Sequence, residues 1–127
     1  MMRFMLLQNY GGVPDGTPPM SEWTPVEIEA HIEAQHVIND ELKERGEFVD
    51  AQALTSPEQA KFVVSGGASP VVTDGPFAES KELLAGYRTI DVETLERALE
   101  VAAQASAAPG PGGTSGVLAR SMDGSRA

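Results

Sequence analysis

The chain has 127 residues, a net charge of −10 and no cysteine. That length suits one domain with a single core, and the missing thiols exclude disulfides, thiolate metal sites and a cysteine nucleophile. Lys and Arg are sparse and form no basic patch among aromatics, which argues against nucleic acid as a direct partner.

The opening segment is apolar only from Met1 to Leu7. It is too short to span a membrane, and no small-residue cleavage site follows. It reads as a first strand, Met2 to Gln8, of a cytoplasmic protein. Both alternating sets, Met2/Phe4/Leu6 and Met5/Leu7, are apolar, so both faces of this strand are expected to be covered. Residues 9–21 are rich in Gly and Pro and read as a loop.

Thr24-Pro25-Val26-Glu27 is a helix start. Thr24 caps, Pro25 suits the first helical position, and Glu27 completes a capping box. Gly46 is the stop, so the helix runs about 21 residues, roughly 31 Å. Residues 21–50 hold nine Asp/Glu against Lys43 and Arg45, which reads as a solvated helix face.

Glu47 to Leu54 reads as a strand and 55–58 as a turn. Ala60–Ser65 and Val71–Thr73 are two further strand pieces around Gly66-Gly67. A hairpin turn is one reading of Asp74-Gly75, since such turns need positive φ and Pro76 ends the ladder. Gly86 to Val92 is another strand. Asp91 is expected to cap a second helix, Val92 to Ser106, with Leu95, Ala98, Leu99 and Ala102 as its apolar face. Val117–Arg120 is a weak last strand. The domain is expected to span 1–120, with 121–127 a flexible tail.

The resulting fold class is α+β, a ferredoxin-like βαββαβ order with an antiparallel sheet and two helices on one face. Two helices cover only one face. The doubly apolar first strand asks for cover on the other, and a partner's sheet supplies it most economically, so a homodimer is expected.

Several stretches, GEFVDAQAL (46–54), PEQAKFVV (57–64), PVVTDGPFAESKELLAGY (70–87), DVETLERALEVA (91–102) and APGPGG (108–113), resemble the YCII-related family. The likeness is strongest to its branch named for the Asp-Gly-Pro-Phe motif. It implies a dimeric α+β barrel with a cleft near the sheet. Some members look like enzymes with a His–Asp pair, and others occur beside or fused to sigma factors. The C-terminus, TSGVLARSMDGSRA, departs from the apolar strand usual there.

Candidate site residues sit mainly on the first helix. With Ile28 at zero on a helical wheel, His31 falls near 300° and Gln35 near 340°, within the apolar stripe that faces the sheet. Two readings stand open. They are core polar groups with partners, or they line a cleft in which His31 acts as acid or base. Asp74, on a rigid turn, is the candidate partner base or histidine orienter. Gln35, Arg3, Phe77 and Tyr87 are the candidate substrate contacts. Arginines on inner strands, Arg3 and Arg88, need an anion or a carboxylate, and Asp50 and Asp91 are available. Trp23 is expected as a lid over the helix start.

His36 lies about 140° from His31 on the wheel, so the two cannot share a metal from one helix face. No metal and no cofactor is expected, and no glycine-rich nucleotide loop is present. The favoured function is binding or transforming a small-molecule ligand in a cleft between the first helix and the sheet. The alternative is a non-enzymatic regulatory module linked to sigma factors.

Overall fold

The computed structural model describes residues 1–9, 23–54, 59–74, 84–109 and 116–122. They form β1 (Met2–Asn9), α1 (Pro25–Glu44), β2 (Phe48–Ala53), β3 (Lys61–Ser65), β4 (Pro70–Asp74), β5 (Leu84–Val92), α2 (Leu95–Ser106) and β6 (Val117–Ser121). An antiparallel sheet has the order β2-β5-β1-β6, and β3 pairs with β4 separately. This is the ferredoxin-like α+β arrangement, with the β3–β4 hairpin inserted between the second and third strands of the main sheet.

Strand register sorts the side chains by face. Phe4 lies opposite Ile90 and Leu6 opposite Arg88. Phe4, Leu6, Ile90 and Val92 form one core with Ile38 and Leu42 of α1 and Ala98, Val101, Ala102 and Ala105 of α2. The alternate residues Arg3, Met5, Leu7, Tyr87, Thr89 and Asp91 point away from the helices. Leu118 and Arg120 of β6, opposite Leu7 and Met5, join them on that outer face.

Local signals set the start and stop of α1. Thr24 Oγ1 accepts from the Glu27 amide at 3.2 Å, and Glu27 Oε1 accepts from the Thr24 amide at 2.9 Å. Gly46 ends the helix at φ +72°, where a side chain would be strained. Glu47 then donates its amide to the Leu42 carbonyl at 2.9 Å.

Several expectations need correction. The second helix begins later than Val92, and its cap is Thr94, whose hydroxyl accepts from the Arg97 amide. Asp91 stays in β5 because the sheet register holds it opposite Arg3. The buried face of α2 is Ala98, Val101, Ala102 and Ala105, while Leu95 and Leu99 are exposed. That is a rotation of about 60° from the expected face. Small alanines let the helix approach the sheet closely, which two leucines would prevent.

β4, which ends at Asp74, pairs with β3 and not with β5, so the two do not form the expected hairpin, and Gly75 and Pro76 lie outside the described residues. The tight turn lies at residues 66–69, where Gly67 has φ +85° and the Gly66 amide donates to Ser69 O at 3.1 Å. The last strand reaches Ser121, and the Met122 amide donates to Arg3 O at 2.9 Å, so order extends into the stretch expected as tail. The rest of that stretch, 123–127, lies outside the described residues, as do residues 10–22, which hold most of the expected loop, the expected turn 55–58, and residues 75–83 and 110–115. No helix among the described residues is long and apolar enough to cross a membrane.

Candidate functional site

The site is built on Arg88. Its neighbours Tyr87 and Thr89 face outward, so strand alternation turns the guanidinium toward α1. It is only 3% exposed. Nε donates to Asn39 Oδ1 at 2.7 Å, and Nη2 donates to Gln35 Oε1 at 2.7 Å. Gln35's own carbonyl lies 3.5 Å from Nη2. All three acceptors are neutral. Nη1 is buried with no hydrogen-bond partner among the described residues. Burial pushes the Arg88 pKa down to about 10, so it remains a cation at neutral pH.

Helical spacing brings the other groups together. His31, Gln35 and Asn39 follow one another at i, i+4 and i+8 along one face of α1. Gln35 Nε2 lies 3.5 Å from His31 Nε2, and His31 Nδ1 lies 2.9 Å from the Pro109 carbonyl. Chemistry orders this chain. Arg88 can only donate, so Gln35 Oε1 must face it and the Gln35 amino group must face His31. His31 Nε2 is then the acceptor, and Nδ1 carries the proton toward the carbonyl of Pro109. In the uncharged imidazole this arrangement puts the proton on Nδ1. The Trp23 ring stands edge-on to His31, with centroids 5.3 Å apart. The tryptophan expected as a lid over the helix start thus packs on this histidine.

The expected site residues do not gather in one place. Gln35 lies between α1 and the sheet, bonded to Arg88, and His31, one turn earlier, reaches the Pro109 carbonyl beyond α2. Arg3 and Tyr87 lie on the opposite face. Arg3 binds Asp91 through Nε at 2.8 Å and Nη2 at 3.0 Å. The Tyr87 hydroxyl donates to Asp50 Oδ2 at 3.3 Å, and its pKa is raised by burial first and by the Asp50 charge second. Asp74 ends β4, exposed and paired with Lys61. Phe77 lies outside the described residues. Among the described residues, no three of His, Asp and Glu gather in a set that could hold a metal ion.

Asn39 and the central role of Arg88 escaped the reading from sequence. The wheel that placed His31 and Gln35 in the sheet-facing stripe also puts Asn39 near 20°, so that signal was present. Arg88 was legible as an inner-strand cation needing an anion. Its pairing with two amides instead of Asp50 or Asp91 was not, because those carboxylates sit on the other face with Tyr87 and Arg3.

Residues 2–117 match the profile of the YCII-related domain. Over 82 residues the chain is 31% identical to an uncharacterized protein, R00369, from Rhizobium meliloti (strain 1021). The match spans 65% of this chain and 66% of that protein.

Proposed function

The chain belongs to the YCII-related family, and we propose that it binds a small molecule between α1 and the four-stranded sheet, with His31 as the proton-handling group. The observation that carries this reading is the polar chain Arg88–Gln35–His31 on the sheet-facing side of α1. A helix that only packed on the sheet would place apolar side chains there, as Ile38 and Leu42 do further along. Asp74 is the second candidate for proton handling. It serves if the β3–β4 hairpin carries it to the His31 edge of its own or a partner subunit. The stretch TDGPFAESKELLAGY (73–87) supports membership of the Asp-Gly-Pro-Phe branch.

The working form in this reading is a cytoplasmic homodimer closed through the outer face of the sheet. Met5, Leu7 and Leu118 form an apolar stripe there with no helix over it among the described residues. The β3–β4 hairpin exposes Val63, Val64, Val71 and Val72, and an isolated two-stranded hairpin is marginal in water. Native mass spectrometry of the purified chain tests the binding reading. A retained small molecule, lost in Gln35→Leu and His31→Leu, is the expected result. A wild type that retains nothing and shows no saturable binding from a metabolite library refutes it.

A second reading has one observation in its favour. Along one flank of α1, Pro25, Ile28, Ile32 and His36 line a shallow groove beside Glu29 and Glu33. An apolar groove with an acidic rim suits a basic amphipathic segment of a regulatory partner such as a sigma factor. A purified sigma factor from the same cell that fails to bind at low salt argues against it.

A further inference from the structure

Building on the site proposed above, we infer that its ligand is recognised through a carboxylate, one oxygen of which accepts from Arg88 Nη1. The edge of the guanidinium formed by Nε and Nη2 is already occupied by Asn39 and Gln35. Amide oxygens satisfy hydrogen bonds but bring no negative charge. A guanidinium 3% exposed among neutral acceptors is therefore a buried charge without compensation. Nη1 is the atom left over, buried and without a partner among the described residues. Native structures rarely leave such an atom unsatisfied, and a catalytic role or a bound ion is among the explanations for one that is.

The charge count selects the ligand class. Arg88 is the single permanent cation of the network, and its other described members, Gln35, Asn39 and the Pro109 carbonyl, are uncharged. Arg3 and Arg97 are engaged elsewhere, Arg3 with Asp91 and Arg97 with Glu47. One positive charge is balanced by a monoanion. A dianionic phosphate would leave excess negative charge in a buried place with no second cation at hand among the described residues. Gln35 and Asn39, one helical turn apart, hold the guanidinium plane and so fix the direction in which Nη1 donates.

Thermal melts of the full chain in formate, acetate, sulfate, phosphate and chloride, at one ionic strength, test this. Formate and acetate should raise the midpoint saturably, by about 5 °C at tenfold over Kd. Sulfate and phosphate should do no more than chloride. Arg88→Met replaces an uncompensated charge with an apolar chain and should abolish the carboxylate effect. If that variant does not fold, Gln35→Glu gives the same test by supplying an internal carboxylate, which should weaken the acetate shift. No carboxylate effect beyond chloride in the wild type, an equal effect in both variants, or an effect of phosphate alone overturns the inference. A neutral co-purified molecule retained by Arg88→Met but lost in Gln35→Leu leaves the binding site standing and removes the carboxylate from it. If neither carboxylates nor any other molecule bind, both fall.

Discussion

Arg88 and Gln35 meet twice: Nη2 lies 2.7 Å from the side-chain oxygen and 3.5 Å from the main-chain oxygen of the same residue. The contact ties the third strand of the main sheet to the middle of α1 and fixes which way the Gln35 amide faces. Gln35→Leu leaves the buried guanidinium short of an acceptor and should cost about 2–4 kcal/mol in urea unfolding. Gln35→Glu offers a carboxylate at the same reach and should lose little or gain. Equal losses in both would mean that packing at position 35, not the bond to Arg88, sets the stability.

The pair Arg97–Glu47 is the better-buried ion pair. Three guanidinium–carboxylate contacts fall between 2.9 and 3.2 Å, and the two side chains are 14% and 12% exposed. Their bonding raises the Arg97 pKa, the Glu47 hydrogen bonds first. The pair joins the start of α2 to the turn between α1 and β2. Glu47→Ala strands the guanidinium and should destabilise by about 2–4 kcal/mol. A loss below about 1 kcal/mol in calorimetry would contradict this account, since that is the range of exposed pairs.

Arg3 and Asp91 make a pair of the opposite kind, on the outer sheet face with side chains 48% and 27% exposed. The hydrogen bonds from Arg3 lower the Asp91 pKa, because they favour the ionised carboxyl. A carboxyl depressed in the folded state adds stability above its unfolded value, about 3.9, and loses it as pH falls through the folded value. Asp91→Asn should therefore differ from wild type above about pH 4, and the difference should vanish in more acid solution. It should also shrink with added salt. A difference that grew toward low pH would reverse the sign assigned here.

Gly86 sits where two strands come close. A Cβ there would lie 2.6 Å from Gln52 O and 3.2 Å from Ala53 Cα, both backbone atoms that cannot turn aside. Gly86→Ala should push β2 off β5 and cost about 1–3 kcal/mol. Amide exchange should speed up in β2 before β1. Unchanged protection of residues 50–53 would contradict it.

The outer sheet face tests the dimer. Met5→Glu and Leu118→Glu place charge in the apolar stripe and should convert a dimer into monomer or aggregate in sedimentation. The helix-side core is untouched by either change, so helicity should persist in the monomer. A wild type that sediments as a compact monomer at micromolar concentration, with both variants folded alike, would refute the homodimer.

By itself the sequence determined the features that depend on neighbours within a few residues. The Thr24-Pro25-Glu27 start is one, the Gly46 stop another, because caps bond within one turn and a positive φ belongs to the residue itself. The doubly apolar β1 and the ferredoxin-like order were legible because alternation and element sequence are one-dimensional. Only the tertiary structure decided what rests on register. Asp91 satisfies the local rules for a cap, yet the strand pairing that sets it opposite Arg3 keeps it in β5 and leaves the cap to Thr94. Leu95 and Leu99 fit the periodicity of a buried face, yet the close approach of α2 to the sheet favours its alanines. Arg88 read as a cation in search of a carboxylate. Strand alternation turned it from the acids of the outer face toward Gln35 and Asn39, partners 53 and 49 residues away. No local rule reaches that far, and the choice between a salt bridge and an open anion site lay in which face of the sheet that one residue takes.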